Sequence, residues 1–202
     1  CFYRCPNLQR VNTSNWNTSN VTNFARFCDE CNSLVEIDVS HFNVSKANGS
    51  FYKMFNGVKA EVLDVSKWNV DTTDGSLNGM FSSCPNVKKL DLSNWKVKIV
   101  HTTGTDTCIA NMFNGCSSLE YLDLSGFDFS EMNASMDKMF YGCSSLREIK
   151  GIENLDVSKV TSFALMFQNC SSLTKLDLRN WVTSSATIMQ GMFHSCTSLT
   201  EI

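Results

Sequence analysis

A motif that recurs about every 26 residues constrains the fold of this chain more than any other feature. Its clearest copies read MFNGCSSLEYLDLS from Met112, MFYGCSSL from Met139, MFQNCSSLTKLDL from Met166 and MFHSCTSL from Met192. With the weaker upstream copies, the repeat phenylalanine is placed at Phe2, Phe27, Phe55, Phe81, Phe113, Phe140, Phe167 and Phe193, at spacings of 25, 28, 26, 32, 27, 27 and 26. No Pro/Gly-rich linker separates the copies. We therefore predict one domain, residues 1–202, of about eight repeats that begins and ends inside a repeat.

Each copy contains the signature of a short β-strand. Leu122, Asp123 and Leu124 alternate apolar and polar side chains, and the same kind of triplet recurs around Asp38, Asp64, Asp91 and Asp177. Strict alternation is typical of a strand with one buried face. We expect one strand in each repeat, with its Asp on the outward face.

Each copy also contains an apolar pattern with helical spacing. A short helix or 3-10 turn would place on one stripe Val160, Phe163, Phe167 and Cys170. A left-handed cap is expected two residues after the repeat Phe, where later copies have Gly115, Gly142 and Asn169. One strand and one helical turn cannot bury their apolar faces alone, but stacked copies can. The sequence therefore predicts an α/β repeat solenoid, with a parallel β-sheet on one face and short helices or 3-10 turns on the other.

The repeat also resembles a known family. The pattern Leu119-x-x-Leu122-x-Leu124 resembles the core of leucine-rich repeats, and the longer unit resembles the bacterial surface-protein 26-residue repeat of BspA-like proteins, also called the mycoplasma lipoprotein-associated repeat. Local departures are Val58 for the repeat Cys, Lys150 for the strand Asp and Arg179 for the strand Ser. The resemblance implies a right-handed solenoid on the surface of a bacterium or a parasitic protist, associated with adhesion and protein contact and without enzymatic activity.

Seven of the ten cysteines occupy one repeat position and are expected to form a reduced, buried ladder: Cys5, Cys31, Cys84, Cys116, Cys143, Cys170 and Cys196. Cys1 and Cys28 flank the first two repeat phenylalanines, so a Cys1–Cys28 disulfide is an alternative to free thiols. The same two residues, with Cys5 and Cys31, also have zinc-ligand spacing, although the ladder needs the latter two inside. Cys108 is predicted to be a free thiol.

Two further columns follow the strand. An aromatic column is expected to stack in the core, with an exposed sugar-binding platform as the alternative: Trp16, Phe42, Trp68, Trp95, Phe127 and Trp181. The outward face is expected to carry a row of Asp and a row of Ser: Asp38, Asp64, Asp91, Asp123 and Asp177, and Ser40, Ser66, Ser93 and Ser125. Hydrogen-bonded carboxylates, a bridging calcium and a partner-docking face are the three interpretations of the Asp row. The 32-residue spacing also predicts an insertion around residues 99–107, in which His101 and Asp106 are candidate binding residues.

The sequence excludes several functions. The net charge is −3, so the basic surface that nucleic acid or an anionic membrane attracts is missing. No apolar run approaches the roughly 18 residues of a membrane-spanning helix. His41, His101 and His194 lie in different repeats, and no glycine-rich phosphate loop is present. We therefore predict no enzyme, no cofactor and no bound metal.

The predicted function is an adhesive or protein-recognition module on a microbial cell surface. Its partner would be a surface protein or matrix component of a host or neighbouring cell. One alternative is a structural spacer or surface-layer subunit that self-associates through its open repeat ends. The other is a carbohydrate-binding module.

Overall fold

The computed structural model describes residues 1–48, 50–73, 76–99 and 108–202. The strands in this part of the chain are short: β1 (Arg10–Val11), β2 (Glu36–Ile37), β3 (Thr72–Thr73), β4 (Lys98–Ile99), β5 (Tyr121–Asp123) and β6 (Glu148–Lys150). They form three parallel pairs, β1-β2, β3-β4 and β5-β6. The one helical element among the described residues is a 3-10 helix at Ile152–Asn154.

Strand pairing joins each repeat to the next. Arg10 pairs with Glu36, and Tyr121 pairs with Glu148. Isolated parallel bridges extend the same relation, for example between Lys175 and Glu201. Because every partner lies about one repeat further along the chain, equivalent segments of neighbouring repeats run side by side and in the same direction.

The segment predicted to be helical is a series of tight turns instead. The N–H of Cys170 donates to the carbonyl oxygen of Phe167 at 3.0 Å, and Asn169 between them has a φ of 65°. Leu165, in the preceding turn, has a φ of 59°. A positive φ at the third residue is typical of a type II turn and interrupts a helix. The apolar stripe that begins at Val160 is therefore buried by turns.

These left-handed residues recur in pairs along the chain: Arg26 and Glu30, Lys53 and Gly57, Gly79 and Ser83, Asn111 and Gly115, Lys138 and Gly142, Leu165 and Asn169, and Gly191 and Ser195. The expected left-handed conformation at Gly115, Gly142 and Asn169 is confirmed, although it serves a turn and not a helix cap. Between the turns, backbone groups bond to the next repeat. The N–H of Phe167 donates to Met192 O at 2.9 Å, and the N–H of Asn169 donates to His194 O at 2.9 Å. The turns thus direct alternate N–H groups toward the neighbouring repeat.

Two aromatic columns run through the core. In the turn segments, the rings of Phe113, Phe140 and Phe167 stack at centroid distances of 5.6 and 5.3 Å. After the strands, Trp68 and Trp95 stack at 6.5 Å with their planes 4° apart. Their indole N–H groups donate to backbone carbonyl oxygens of the preceding repeat. Both indoles are buried, and each has the hydrogen-bond partner that a buried indole requires.

The aromatic column is less enclosed in the first and last copies. The side chain of Trp16 is 38% exposed and packs against Phe2 and Phe27. Trp181 is half-buried, and its indole N–H donates to Ile152 O at 2.9 Å. The structure therefore places the middle of this column in the core, whereas Trp16 is only partly covered.

The backbone pairing corrects the predicted register of the second repeat. The N–H of Cys28 donates to Met54 O, as the N–H of Phe55 donates to Met80 O. Cys28, and not Phe27, therefore occupies the position of the repeat phenylalanine. The first two spacings become 26 and 27, in place of 25 and 28. The alignment by residue type was wrong here because a cysteine stands where the other copies have a ring.

The third repeat interrupts the strand pairing. Five positions separate Val58 from Leu63, whereas six separate the equivalent Cys116 from Leu122. The N–H of Lys59 still donates to the second repeat, at Leu34 O. In the described chain, residues 60–64 then make no backbone hydrogen bond. The missing residue leaves main-chain groups of this repeat facing solvent, beside β2.

Candidate functional site

The outward face of the first three repeats contains the largest depression described, with a volume of about 560 Å³. It is lined by β1 and β2, by the residues that follow these strands, and by Val62 of the third repeat. Val35 and Val62 contribute exposed apolar surface, with 51% and 69% of their area accessible. The depression lies directly beside the interruption in strand pairing.

Val35 and Val62 depart from the repeat pattern. At the position of Val35, the other repeats have polar residues: Gln9, Glu61, Lys88, Glu120, Arg147, Thr174 and Thr200. At the position of Val62, they have charged residues or Tyr121: Arg10, Glu36, Lys89, Glu148, Lys175 and Glu201. Two aliphatic side chains therefore replace polar ones where two neighbouring repeats meet.

The rim of the depression carries charge. The Nε of Arg10 lies 3.0 Å from a carboxylate oxygen of Glu36, and both side chains are largely exposed. Asp38 is exposed at the end of β2, where its Oδ1 accepts the N–H of Ser40 at 2.9 Å. The lining groups thus include one cation and two carboxylates, one of which pairs with the cation.

The predicted Asp and Ser rows form turns. The Oδ1 of each Asp accepts the backbone N–H two residues later, at 2.9–3.2 Å, in Asp38, Asp64, Asp91, Asp123 and Asp177. Asn12 makes the same bond to Ser14 at 3.0 Å. A second line of such turns is made by Asp128 and Asp156 with the N–H groups of Ser130 and Ser158. Local bonds of this kind explain why D-x-S recurs after every strand.

These bonds also fix the ionisation of the row. The Ser93 hydroxyl and N–H hold the pKa of Asp91 below its usual range, and Ser40 does the same to the pKa of Asp38. The Arg179 side chain lowers the pKa of Asp177 to about 2. The carboxylates therefore stay ionised at neutral pH, and each has at least one hydrogen-bond donor.

The two departures in the row provide ion pairs. The Nζ of Lys150 lies 2.7 Å from Asp123, and the guanidinium of Arg179 lies 2.6 Å from Asp177. Further ion pairs join neighbouring repeats, such as Arg4 with Glu30 and Lys159 with Glu131. Among the described residues, no group of three His, Cys, Asp or Glu is arranged to hold a metal ion.

The repeat cysteines line a column inside the chain. Five are buried, and Cys5 and Cys196 are half-buried. The thiol of Cys143 donates to Phe113 O at 3.1 Å, and the thiol of Cys170 donates to Phe140 O at 3.1 Å. Burial raises the pKa of the Cys116 thiol to about 12. These thiols are therefore protonated and act as structural hydrogen-bond donors.

Cys1 and Cys28 are both free thiols in the structure, so the alternative of a disulfide between them is not formed. Cys1 is exposed beside Phe27, whereas Cys28 is buried in line with Phe2 and Phe55. Cys31, the third member of the zinc-spaced group, donates its thiol to Phe2 O at 2.9 Å. Cys108 is likewise a buried free thiol.

The remaining candidates lie apart from the depression or outside the described residues. His101 and Asp106, predicted on the insertion, lie outside the residues that the structure describes. His41 hydrogen-bonds to Thr13 O at 2.9 Å, and His194 lies 3.1 Å from the Gln168 amide. Sequence reasoning placed binding on Asp38 but missed Val35 and Val62. Comparing each copy with the repeat consensus would have found both valines.

The chain matches the model of a family described as "Mycoplasma protein of unknown function, DUF285" over residues 1–95 and 105–202. The unmatched residues between these ranges overlap the predicted insertion. No curated protein matches the chain. The structure describes no helix long and apolar enough to cross a bilayer. Since the matches cover more than half of the sequence, the chain belongs to the DUF285 family, whose Mycoplasma description indicates a bacterial protein.

Proposed function

We propose that this protein is a non-catalytic recognition module on a bacterial cell surface, which adheres to proteins of a host or neighbouring cell. We propose the architecture of a right-handed, leucine-rich-repeat-like solenoid of the BspA-like type. The solenoid is supported by the parallel pairing of each repeat with the next. The single observation that carries recognition is the depression on the strand face, where two exposed valines replace polar residues.

The chemistry of the outer face favours binding over catalysis. Its carboxylates accept hydrogen bonds from turns, and several also pair with cations of adjacent repeats. The buried thiols donate to backbone carbonyl oxygens. Groups committed in this way hold a surface in shape, whereas a catalytic group needs access to substrate and a pKa near the working pH.

Adhesion of protein-coated beads to cultured animal cells and to immobilised matrix proteins tests this function. We expect beads coated with the chain to attach, and the dissolved chain to compete with them. Failure of coated beads to exceed albumin-coated beads on every surface would contradict recognition. Concentration-dependent end-to-end polymers in sedimentation, without attachment, would support the structural role instead.

Charge reversal locates the adhesive face. We expect Asp91→Lys with Asp123→Lys to weaken attachment if partners approach the strand face. Asp156→Lys is the matched control, because Asp156 makes the same type of turn with Ser158 outside that row. Circular dichroism of each variant separates lost binding from lost folding. Equal attachment by all variants would remove the Asp row from the docking face.

A further inference from the structure

We propose that the depression over the first three repeats docks an extended segment of a partner protein that presents an apolar side chain beside a basic one. This inference rests on the proposed recognition function and specifies its site and ligand class. The apolar side chain would lie between Val35 and Val62, and the basic one would lie on Asp38.

Apolar contact is indicated by where exposed aliphatic surface occurs. The other large exposed apolar side chains lie in the first repeat or after the last strand triplet: Tyr3, Trp16, Val182, Ile188, Met189 and Ile202. Val35 and Val62 alone among these line a depression within the array. Single exposed apolar residues are ordinary, but two that border one concave surface mark an interaction site.

An extended backbone is indicated by the interruption in strand pairing. Residues 60–64 make no backbone hydrogen bond within the described chain, and they lie next to β2. Exposed main-chain N–H and C=O groups of a strand are satisfied by another extended chain, which adds main-chain bonds to side-chain contacts. A carbohydrate would not match their alternation along the strand direction.

A basic neighbour is indicated by the charges at the rim. Arg10 and Glu36 pair with each other at 3.0 Å. Asp38 uses one oxygen for the Ser40 N–H and has no ion-pair partner among the described residues. Side chains at alternate positions of an extended peptide lie on one face, roughly 7 Å apart. One face of a bound strand can therefore present both an aliphatic group and a cation to this surface.

Fluorescence anisotropy with synthetic peptides tests the proposal. The probe is labelled Thr-Val-Thr-Lys-Thr-Val-Thr, with one comparison peptide in which Glu replaces Lys and one in which Thr replaces both Val. We expect saturable binding of the probe, with affinity at least about tenfold weaker for each comparison peptide. Amide NMR shifts on titration should map to β2 and residues 60–64.

Variants of the chain identify the site. Val35→Thr with Val62→Glu restores residues found at these positions in other repeats, and we expect a loss of about tenfold in affinity. Asp38→Asn keeps the turn acceptor and should abolish the preference for Lys over Glu. Thr174→Val, the matched control at the position of Val35 in the seventh repeat, should leave affinity unchanged.

Three results would overturn the proposal. They are no saturable probe binding, equal binding of the three peptides, and unchanged binding by the valine double variant. A dimer that this variant abolishes would assign the depression to a second copy of the chain and would also overturn it. Bead attachment by the double variant separates the two ideas. Retained attachment would refute this site and leave the recognition function, whereas absence of attachment by the parent chain would refute the function itself.

Discussion

The repeats from Met112 onward and the second and third repeats share one motif but differ in regularity. In the later repeats, the stacked rings of Phe113, Phe140 and Phe167 lie within 10° of parallel, and each repeat Cys donates to the preceding repeat. In the earlier pair, Cys28 takes the place of a ring and Val58 the place of a thiol. The comparison teaches that identical columns provide the shared core, whereas departures from them create the distinctive surface.

The largest expected effect tests whether the regular column stabilises the chain more than the irregular one. Phe140→Ala should lower the free energy of unfolding by about 3–5 kcal/mol, because a buried ring leaves a cavity between two others. Cys28→Ala, in the same column, should cost about 1–2 kcal/mol, since it removes one buried sulfur. Urea unfolding of both variants measures the difference. Equal losses would show that the column is no better packed in the later repeats.

The next effect is on alkaline stability, which the thiol column controls. Burial raises the folded pKa of Cys116 from the ordinary 9.0 to about 12. Its contribution is therefore fully present below pH 9 and is lost as pH rises toward 12. Cys116→Ala should reduce this loss by about 1.4 kcal/mol for each pH unit in that window. Urea unfolding at a series of alkaline pH values measures it. The third repeat, with Val58, adds no such dependence, and an unchanged slope in the variant would disprove the assignment.

A smaller effect distinguishes the turn function of the Asp row from its charge. Asp91→Ala should cost about 1 kcal/mol, because the Ser93 N–H loses its acceptor. Asp91→Asn keeps that bond, as Asn12 does in the first repeat. The lowered pKa of Asp91 means that its charge stabilises the chain above about pH 4 and that this stabilisation is lost as pH falls through the folded value. Thermal unfolding at neutral and acid pH should show a weaker acid dependence for Asn than for the parent. Matching behaviour of the Ala and Asn variants would argue against the turn.

The smallest effect concerns the ion pair that interrupts the Asp row. Lys150→Asp should destabilise the chain slightly at low ionic strength, because it places a second carboxylate beside Asp123. The difference should vanish at high salt, where surface charges are screened. Melting temperatures at two salt concentrations measure it. A salt-independent loss would indicate that Lys150 acts through packing.

Particular residues show why parts of the candidate site escaped prediction. Asp38 was predicted on the outward face because strand alternation is local. Val35 and Val62 were missed because the analysis sought what the repeats share, and these residues matter by differing. The helix predicted around Phe167 failed for a related reason. Apolar spacing records which side chains are buried, and a chain of turns buries the same side chains as a short helix.

The sequence by itself determined that like residues recur at one-repeat intervals, because the alternation and the D-x-S turns are encoded within a few neighbouring residues. Only the tertiary structure decided that Cys28 aligns with Phe55, that Asn169 ends a turn, and that residues 60–64 lack backbone partners. The physical reason is that the hydrogen bonds that settle these points join different repeats. A single copy contains only one side of each bond.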